Sequence, residues 1–165
     1  MKYFLDTEFN ETGGEKRPTI DLISIGIVSE TGRDYYAESS EFDAKACNPW
    51  VQENVLPKLR GEGKPRQIIM QEIIQFIGDD KPEFWAYYAD YDWVVFCWLF
   101  GPMVGLPENF PKLCMDLQQW WIQLGRPDVK PPDPPGEHDA LIDAYWNKDL
   151  WNALNNAATV LEPIL

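Results

Sequence analysis

The first eight residues constrain the fold more than any other part of the chain. Lys2 to Glu8 has the pattern of a short strand that opens with apolar side chains and ends with Asp6-Thr7-Glu8. Alternate residues of a strand share one face, so the two carboxylates lie about 6.5–7 Å apart on the same side. Carboxylates are costly to bury unless something neutralises them. The strand end therefore predicts either a site in which paired acids hold two divalent cations or a simple solvated terminus.

A second acidic group stands where a later strand meets an apolar helix, at residues 89–93 (ADYDW). One carboxylate of this group is expected to cap the helix, and the other to point back over the end of the sheet. Asp90 is the natural cap, and Asp92, which continues into the apolar part of the helix, is the natural ligand. The alternative is that both acids cap the helix and face solvent.

The single histidine of the chain defines a third group. His138 precedes Asp143 by five residues, an offset that does not bring two side chains to one face of a single helix. The two can meet if His138 lies in a loop and Asp143 on the helix that follows. An imidazole has an ordinary pKa of about 6.5, which suits a general base that takes a proton from water near neutral pH. The alternative is a loop histidine beside Asp139, the expected cap of that helix.

The rest of the pattern predicts three strands joined by short turns and then strands that alternate with helices. This order forms a mixed sheet flanked by helices, and we expect five strands in a single α/β domain over residues 1–165. The expected strands are Lys2 to Glu8, Ile20 to Ser29, Asp34 to Ala37, Glu83 to Tyr88 and Leu113 to Met115. The expected helices are Arg66 to Ile77, Asp92 to Phe100, a helix capped by Asp116 that runs to Leu124, and Asp139 to Leu161 in one or two pieces.

Charge and cysteine content narrow the class of protein. The chain carries 27 acidic and 14 basic residues, a net charge of −13, which excludes a histone-like binder with a broad basic surface. An enzyme that holds a strand end through metal ions is not excluded. No apolar run approaches the roughly 20 residues of a membrane span, and an early acid interrupts the position of a secretory signal. With three cysteines and no CxxC spacing, we expect reduced thiols in a cytoplasmic protein without membrane contact.

Together these groups resemble the motifs of the DEDDh 3′-5′ exonucleases, which include RNase T, oligoribonuclease and polymerase proofreading subunits. Asp6-x-Glu8, Tyr91-Asp92 and the His138–Asp143 spacing stand in the same order as in that family, and the second strand also matches at residues 23–28 (ISIGIV). The opening FLDTEF and the strand WAYY are most similar to the mycobacterial ribonuclease AS subfamily. The resemblance covers nearly the whole chain and implies an RNase H-like fold. Asp90 departs from the family, whose members often carry a neutral residue there.

The resemblance also implies roles for these residues. It makes Asp6, Glu8, Asp92 and Asp143 the ligands of two Mg²⁺ or Mn²⁺ ions per active site, and it makes His138 the general base. The implied reaction is two-metal hydrolysis of single-stranded RNA from the 3′ end to nucleoside 5′-monophosphates. As in RNase T, a homodimer is implied. Two alternatives stay open: a DNA exonuclease of the proofreading type, and a non-catalytic nucleic-acid-binding module with a vestigial site. A carboxylate-pair glycosidase has no use for the spacing of His138 and Asp143.

Further residues are candidates for holding the substrate. Phe9, directly after Glu8, suits stacking on the terminal base, unless it belongs to the core. Ser24 and Gly26 form a small-residue side of the second strand where a sugar or base can approach, unless a helix packs there. Residues 57–66 form a Gly/Pro-containing loop that carries four of the 14 cations of the chain and suits phosphate contacts, unless it is merely solvated. These four cations are Lys58, Arg60, Lys64 and Arg66.

Overall fold

The structure, a computed structural model, describes residues 1–12, 19–61 and 63–161. These residues form six strands: β1 (Lys2–Thr12), β2 (Thr19–Ser29), β3 (Asp34–Ser39), β4 (Gly63–Lys64), β5 (Glu83–Ala86) and β6 (Met115–Asp116). They also form five α-helices: α1 (Pro49–Asn54), α2 (Arg66–Ile77), α3 (Ala89–Leu99), α4 (Leu117–Gln123) and α5 (Ala140–Leu161). Within the described ranges, no helix is both long enough and apolar enough to cross a bilayer.

The strands form one mixed sheet in the order β4-β3-β2-β1-β5-β6. β1, β2 and β3 pair antiparallel, whereas β4, β5 and β6 each pair parallel to a neighbour. The predicted mixed sheet flanked by helices is therefore confirmed, but it has six strands where the sequence predicts five. The additional strand β4 is two residues long and pairs with the end of β3, so it is too short to leave an alternating pattern in the sequence.

Several element boundaries differ from the predicted ones for identifiable reasons. The chain leaves β5 two residues early because Tyr88 adopts a left-handed conformation (φ 55°) from which α3 begins. Asp90 does not cap α3. The first amide of that helix, Ala89 N–H, instead donates to Asp116 Oδ2 at 2.7 Å. Asp116 also caps α4, as predicted, by accepting from the Gln119 amide at 2.6 Å.

β1 lies in the middle of the sheet, and its side chains contribute to the cores on both faces of the sheet. Its residues Tyr3 and Leu5 join the core formed with α2 and α3, whereas Phe4 joins the core formed with α4 and α5. Because side chains alternate along a strand, Asp6 and Glu8 share the face of Phe4, which α5 covers. The period of the first strand thus directs both acids towards the helix that carries Asp143.

β1 and β5 pair only over their first residues, Lys2 to Phe4 with Glu83 to Trp85. Beyond that point no strand of the described residues pairs with the edge of β1 that faces β5, and two side chains satisfy this edge instead. The Leu5 carbonyl accepts from Asn147 Nδ2 of α5 at 2.9 Å, and the Thr7 amide donates to Asp92 Oδ1 of α3 at 2.8 Å. Buried backbone groups are costly to leave unpaired. These two hydrogen bonds therefore hold α3 and α5 beside the opening between the strands.

Gly26 allows the first turn of α5 to rest directly on β2. It pairs with Asp6 across the strands, and a Cβ added at Gly26 would lie 2.2 Å from the Ala140 carbonyl oxygen and 2.5 Å from Leu141 Cα. Close helix packing is therefore the reason for this small residue. The contact holds the start of α5, and with it Asp143, over the acidic end of β1.

We predict that Gly26→Ala lowers the free energy of unfolding by about 1–3 kcal/mol or more, as overpacking does. The added methyl group collides with backbone atoms, so adding Ala140→Gly to this variant should not restore stability. Urea unfolding of the two variants and the parent measures the effect. Parent-like stability of Gly26→Ala would contradict the packing described.

Candidate active site

Four carboxylates from three elements converge at the opening between β1 and β5. Asp6 and Glu8 come from β1, Asp92 from α3 and Asp143 from α5. The charges of Asp92, Glu8 and Asp143 all act on Asp6, which shows how closely the four are grouped. The structure therefore brings together all four of the predicted acidic site residues, although they are separated by up to 137 positions in the chain.

His138 joins this group from the loop before α5. One side-chain ligand atom each of Glu8, His138 and Asp143 lie within 4.8 Å of one another, and Asp6 lines the same cleft as His138 and Asp143. His138 has a left-handed backbone (φ 69°), and its amide donates to Asp143 Oδ2 at 2.8 Å. Asp139 caps α5 by accepting from the Leu141 amide at 3.0 Å. The five-residue spacing thus works as predicted, with a loop histidine and a helical aspartate.

Asp92 is held by Thr7, the residue between the two acids of β1. Asp92 Oδ1 accepts from the Thr7 hydroxyl at 2.6 Å as well as from the Thr7 amide. Burial raises the pKa of Asp92 to about 6, although the hydrogen bonds from Thr7 oppose this rise by favouring the carboxylate. Sequence reasoning missed this function of Thr7, because the alternating pattern directs its side chain away from Asp6 and Glu8.

Burial and the charges of nearby acids destabilise the ionised forms of all four carboxylates. Burial, followed by the nearby charges of Asp92, Glu8 and Asp143, holds the pKa of Asp6 well above its usual range. Burial and the charges of Asp143 and Asp92 raise the pKa of Glu8 to about 8, and burial raises that of Asp143 to about 6. Lys58 offsets only part of this effect at Glu8 and Asp143.

This donor set fits hard divalent cations. In the described ranges of the chain, none of the four carboxylates forms an ion pair with a lysine or arginine. Crowded carboxylates that lack a cationic partner can ionise together when divalent cations balance their charge. Carboxylate oxygens are also the ligands that Mg²⁺ and Mn²⁺ favour. The site is thus a candidate metal centre with an imidazole beside it.

The cations predicted to bind substrate divide into two pairs. Lys58 and Arg60 reach the active site: Lys58 Nζ donates to the Glu137 carbonyl at 2.8 Å, and the Arg60 guanidinium lies 3.4 Å from Asp139. Lys64 and Arg66 lie elsewhere. Lys64 pairs with Glu72 at 2.9 Å, while Arg66 pairs with Asp21 and Glu41 at 3.4 and 3.7 Å. Nothing in the loop composition separates these two pairs, since the acidic partners of the second pair lie outside the loop.

The two other predicted contacts also differ in exposure. Phe9 is partly buried and stacks on Tyr91, with ring centroids 5.8 Å apart and planes inclined by 15°. Ser24 pairs with Glu8 across the strands but is only 1% exposed, so its hydroxyl does not face the cleft surface. The sequence also gave no indication of Trp50, whose ring centroid lies 4.8 Å from that of His138.

We predict that Glu8→Gln raises the melting temperature of the chelator-treated protein at pH 8 more than at pH 5. The four carboxyl groups have folded-state pKa values above their unfolded values near 4. The contribution of these groups to the free energy of unfolding is therefore fully present below about pH 4. It is lost as the pH rises through the folded-state pKa values, which are about 6 for Asp92 and Asp143 and about 8 for Glu8. Calorimetry at both pH values measures this.

The matched control is Glu11→Gln, because Glu11 lies exposed on the same strand. This control should change the melting temperature little at either pH. If Glu8→Gln left the melting temperature at pH 8 unchanged or lowered it, the crowding of the carboxylates would be contradicted.

Comparisons with known proteins agree with this geometry. The family model of the 3′-5′ exoribonuclease Rv2179c-like domain matches residues 1–155. The 3′-5′ exoribonuclease Rv2179c of Mycobacterium tuberculosis (strain ATCC 25618 / H37Rv) is 45% identical over an alignment of 151 residues, and the match covers 87% of each chain. The 3′-5′ exoribonuclease MT2234.1 of strain CDC 1551 / Oshkosh matches with the same identity and coverage.

Solved structures of exonuclease I share the fold. One matches with a TM-score of 0.66 at 14% identity, over 94% of this chain and 41% of the other. The zinc-bound complex of E. coli exonuclease I with single-stranded DNA matches with a TM-score of 0.65 at 14% identity, over 99% and 42%. This chain thus spans about two fifths of the length of those proteins. The expected RNase H-like fold is confirmed, and by its family match and its identity to Rv2179c the chain belongs to the Rv2179c-like 3′-5′ exoribonuclease domain family.

Proposed function

We propose that this protein is a divalent-metal-dependent 3′-5′ exoribonuclease that removes nucleoside 5′-monophosphates from the 3′ end of single-stranded RNA. The observation that carries the proposal is the convergence of four carboxylates and the single imidazole at the opening between β1 and β5. RNA as substrate is supported by the names of the two relatives that are 45% identical to the chain.

In this proposal Asp6, Glu8, Asp92 and Asp143 hold two Mg²⁺ or Mn²⁺ ions. The support is their all-oxygen chemistry and their raised pKa values, which indicate a site that is short of positive charge. When bound, such ions lower the pKa of water and stabilise charge on the attacking and leaving oxygens of a phosphodiester. Thr7 holds the Asp92 carboxylate in place by two hydrogen bonds.

His138 is the proposed general base. Its ring lies at the rim of the carboxylate group, where it can accept a proton from the attacking water. The water oxygen forms a bond to the terminal phosphorus, and the bond from phosphorus to the 3′ oxygen of the preceding nucleotide breaks. The products are a nucleoside 5′-monophosphate and an RNA shortened by one nucleotide.

Three of the predicted substrate contacts remain part of the proposal. Phe9, supported from behind by Tyr91, offers an aromatic surface for the terminal base next to Glu8, and such stacking is worth about 1–3 kcal/mol per base. Lys58 and Arg60 offer positive charge for upstream phosphates. The amides of Arg60 and Gly61 donate to the buried carboxylate of Glu38, which fixes this loop beside the site.

We further propose that residues 1–165 form a single exonuclease domain that acts as a cytoplasmic homodimer. The family match over residues 1–155 supports the single domain. Three free cysteines (Cys47, Cys97 and Cys114) fit a reducing compartment. Tyr91, Val94 and Trp98 leave an exposed apolar stripe along α3 that suits a contact between subunits.

We predict that His138→Ala lowers turnover of single-stranded RNA by about 10²–10⁴-fold, the usual contribution of a positioned general base. Mn²⁺ affinity should stay close to that of the parent, because the four carboxylates remain. Asp6→Asn should instead weaken Mn²⁺ binding, while Asp79→Asn, on an exposed turn, serves as the control. Single-turnover kinetics and calorimetric Mn²⁺ titration separate the two effects, and equal turnover of His138→Ala and the parent would refute the role of His138.

Matched RNA and DNA oligomers with Mg²⁺ test the substrate class. We expect nucleoside 5′-monophosphates from RNA at a rate well above that from DNA. Preference for DNA would favour an exonuclease of the proofreading type. Absence of any mononucleotide from either oligomer, with Mg²⁺ or Mn²⁺, would favour a binding module with a vestigial site.

A further inference from the structure

The orientation of the His138 ring needs an explanation that the carboxylates do not supply. In the part of the chain that the structure describes, no hydrogen bond reaches either nitrogen of this imidazole; the bond to Asp143 comes from the backbone amide. A general base works only when its nitrogen is aimed at the proton that it accepts. Some other contact must therefore restrict the ring.

One segment of the chain, residues 50–60, makes several contacts with the loop that carries His138. Lys58 Nζ holds the Glu137 carbonyl at 2.8 Å, and the Arg60 guanidinium lies 3.4 Å from the Asp139 carboxylate. These two contacts fix the residues on either side of His138. Neither contact restricts the side-chain torsions of His138 itself, so a third contact must do so.

That third contact is the indole ring of Trp50. It meets the imidazole edge to face, with ring centroids 4.8 Å apart and planes inclined by 77°. Trp50 is 52% exposed, so burial in a core does not account for its position. An indole at this distance prevents the imidazole from adopting the side-chain rotamers that would overlap with it.

Trp50 is anchored to the strand that carries the acids. It lies in the first turn of α1, where Asn48 Oδ1 caps the Val51 amide at 3.0 Å. The Asn48 amide in turn donates to Asn10 Oδ1 at 3.0 Å, two residues beyond Glu8 on β1. Val51 also packs against Ile23. The position of the indole is therefore tied to the position of Glu8.

We infer that Trp50 is a positioning residue that orients the imidazole of His138 towards the cleft between Glu8 and Asp143. This inference rests on the proposed function of His138 as the general base. Trp50 acts on the step in which a proton is transferred, and not on metal binding, because within the described ranges its ring meets His138 and no hydrogen bond joins it to any of the four carboxylates. A direct stacking role of Trp50 on an RNA base is the competing explanation.

The kinetic test compares Trp50→Ala with the parent on single-stranded RNA. We expect a kcat about 10–100-fold lower, since misplacement of a reacting group by about 1 Å can cost 10²-fold, with KM and Mn²⁺ affinity unchanged. Trp50→Phe keeps an aromatic edge and should recover kcat to within about threefold of the parent. Ile122→Ala is the matched control, because Ile122 is similarly exposed (46%) and lies on α4, a helix that carries none of the site residues.

A spectroscopic test does not depend on activity. Because His138 is the only histidine, its imidazole proton signals are unambiguous in NMR spectra. Loss of the ring current of Trp50 should move these signals in Trp50→Ala at one fixed pH, while Ile122→Ala leaves them in place. Unmoved signals, or a raised KM with an unchanged kcat, would overturn the inference. Failure of the parent itself to degrade RNA would instead overturn the proposed function.

Discussion

Because β1 parts from β5 after Phe4 and Trp85, no strand in the described part of the chain pairs with the Leu5 carbonyl or the Thr7 amide. Both groups are satisfied by side chains from helices, Asn147 of α5 and Asp92 of α3. The same few residues of β1 thus fasten two helices and present two acids. If the pairing of β1 with β5 continued, there would be no opening for the carboxylates at this point.

Electrostatic repulsion between the buried acids lowers the stability of the metal-free protein. Burial raises the pKa values of all four carboxylates, and the charges of neighbouring acids raise them further; the chain also has a net charge of −13. Positive charge close to the site comes from Lys58, which is also engaged by the Glu137 carbonyl. Divalent cations would therefore contribute to stability as well as to chemistry, since a ligand that binds only the folded state stabilises it.

Local periodicity accounts for what the sequence predicts correctly. The spacing of two residues between Asp6 and Glu8 directs both to one face of a strand, and the spacing of five between His138 and Asp143 requires a loop followed by a helix. The helix of residues 66–77 is predicted with the bounds that it has in the structure. Features that depend on distant partners escape such reasoning. The sequence predicts Asp90 as the cap of α3, but the first amide of that helix donates to the Asp116 carboxylate, which comes from another strand.

Long-range pairing also explains the other misses. The two-residue strand β4 exists because β3 offers it an edge, and Arg66 lies away from the site in an ion pair with Asp21, which stands 45 positions earlier in the chain. Trp50 lies 88 positions before His138, and only the tertiary fold brings their rings together. Sequence patterns therefore identify the carboxylates and the imidazole of the site, whereas the contacts that orient these side chains are visible only in the structure.

The most direct test of this account is a crystal of the protein soaked with Mn²⁺ and a nucleoside 5′-monophosphate, examined by anomalous diffraction. The account predicts two manganese peaks about 3.5–4 Å apart, bound by Asp6, Glu8, Asp92 and Asp143 where β1 and β5 separate. Manganese absent from that opening, or bound only at surface acids elsewhere, would contradict it.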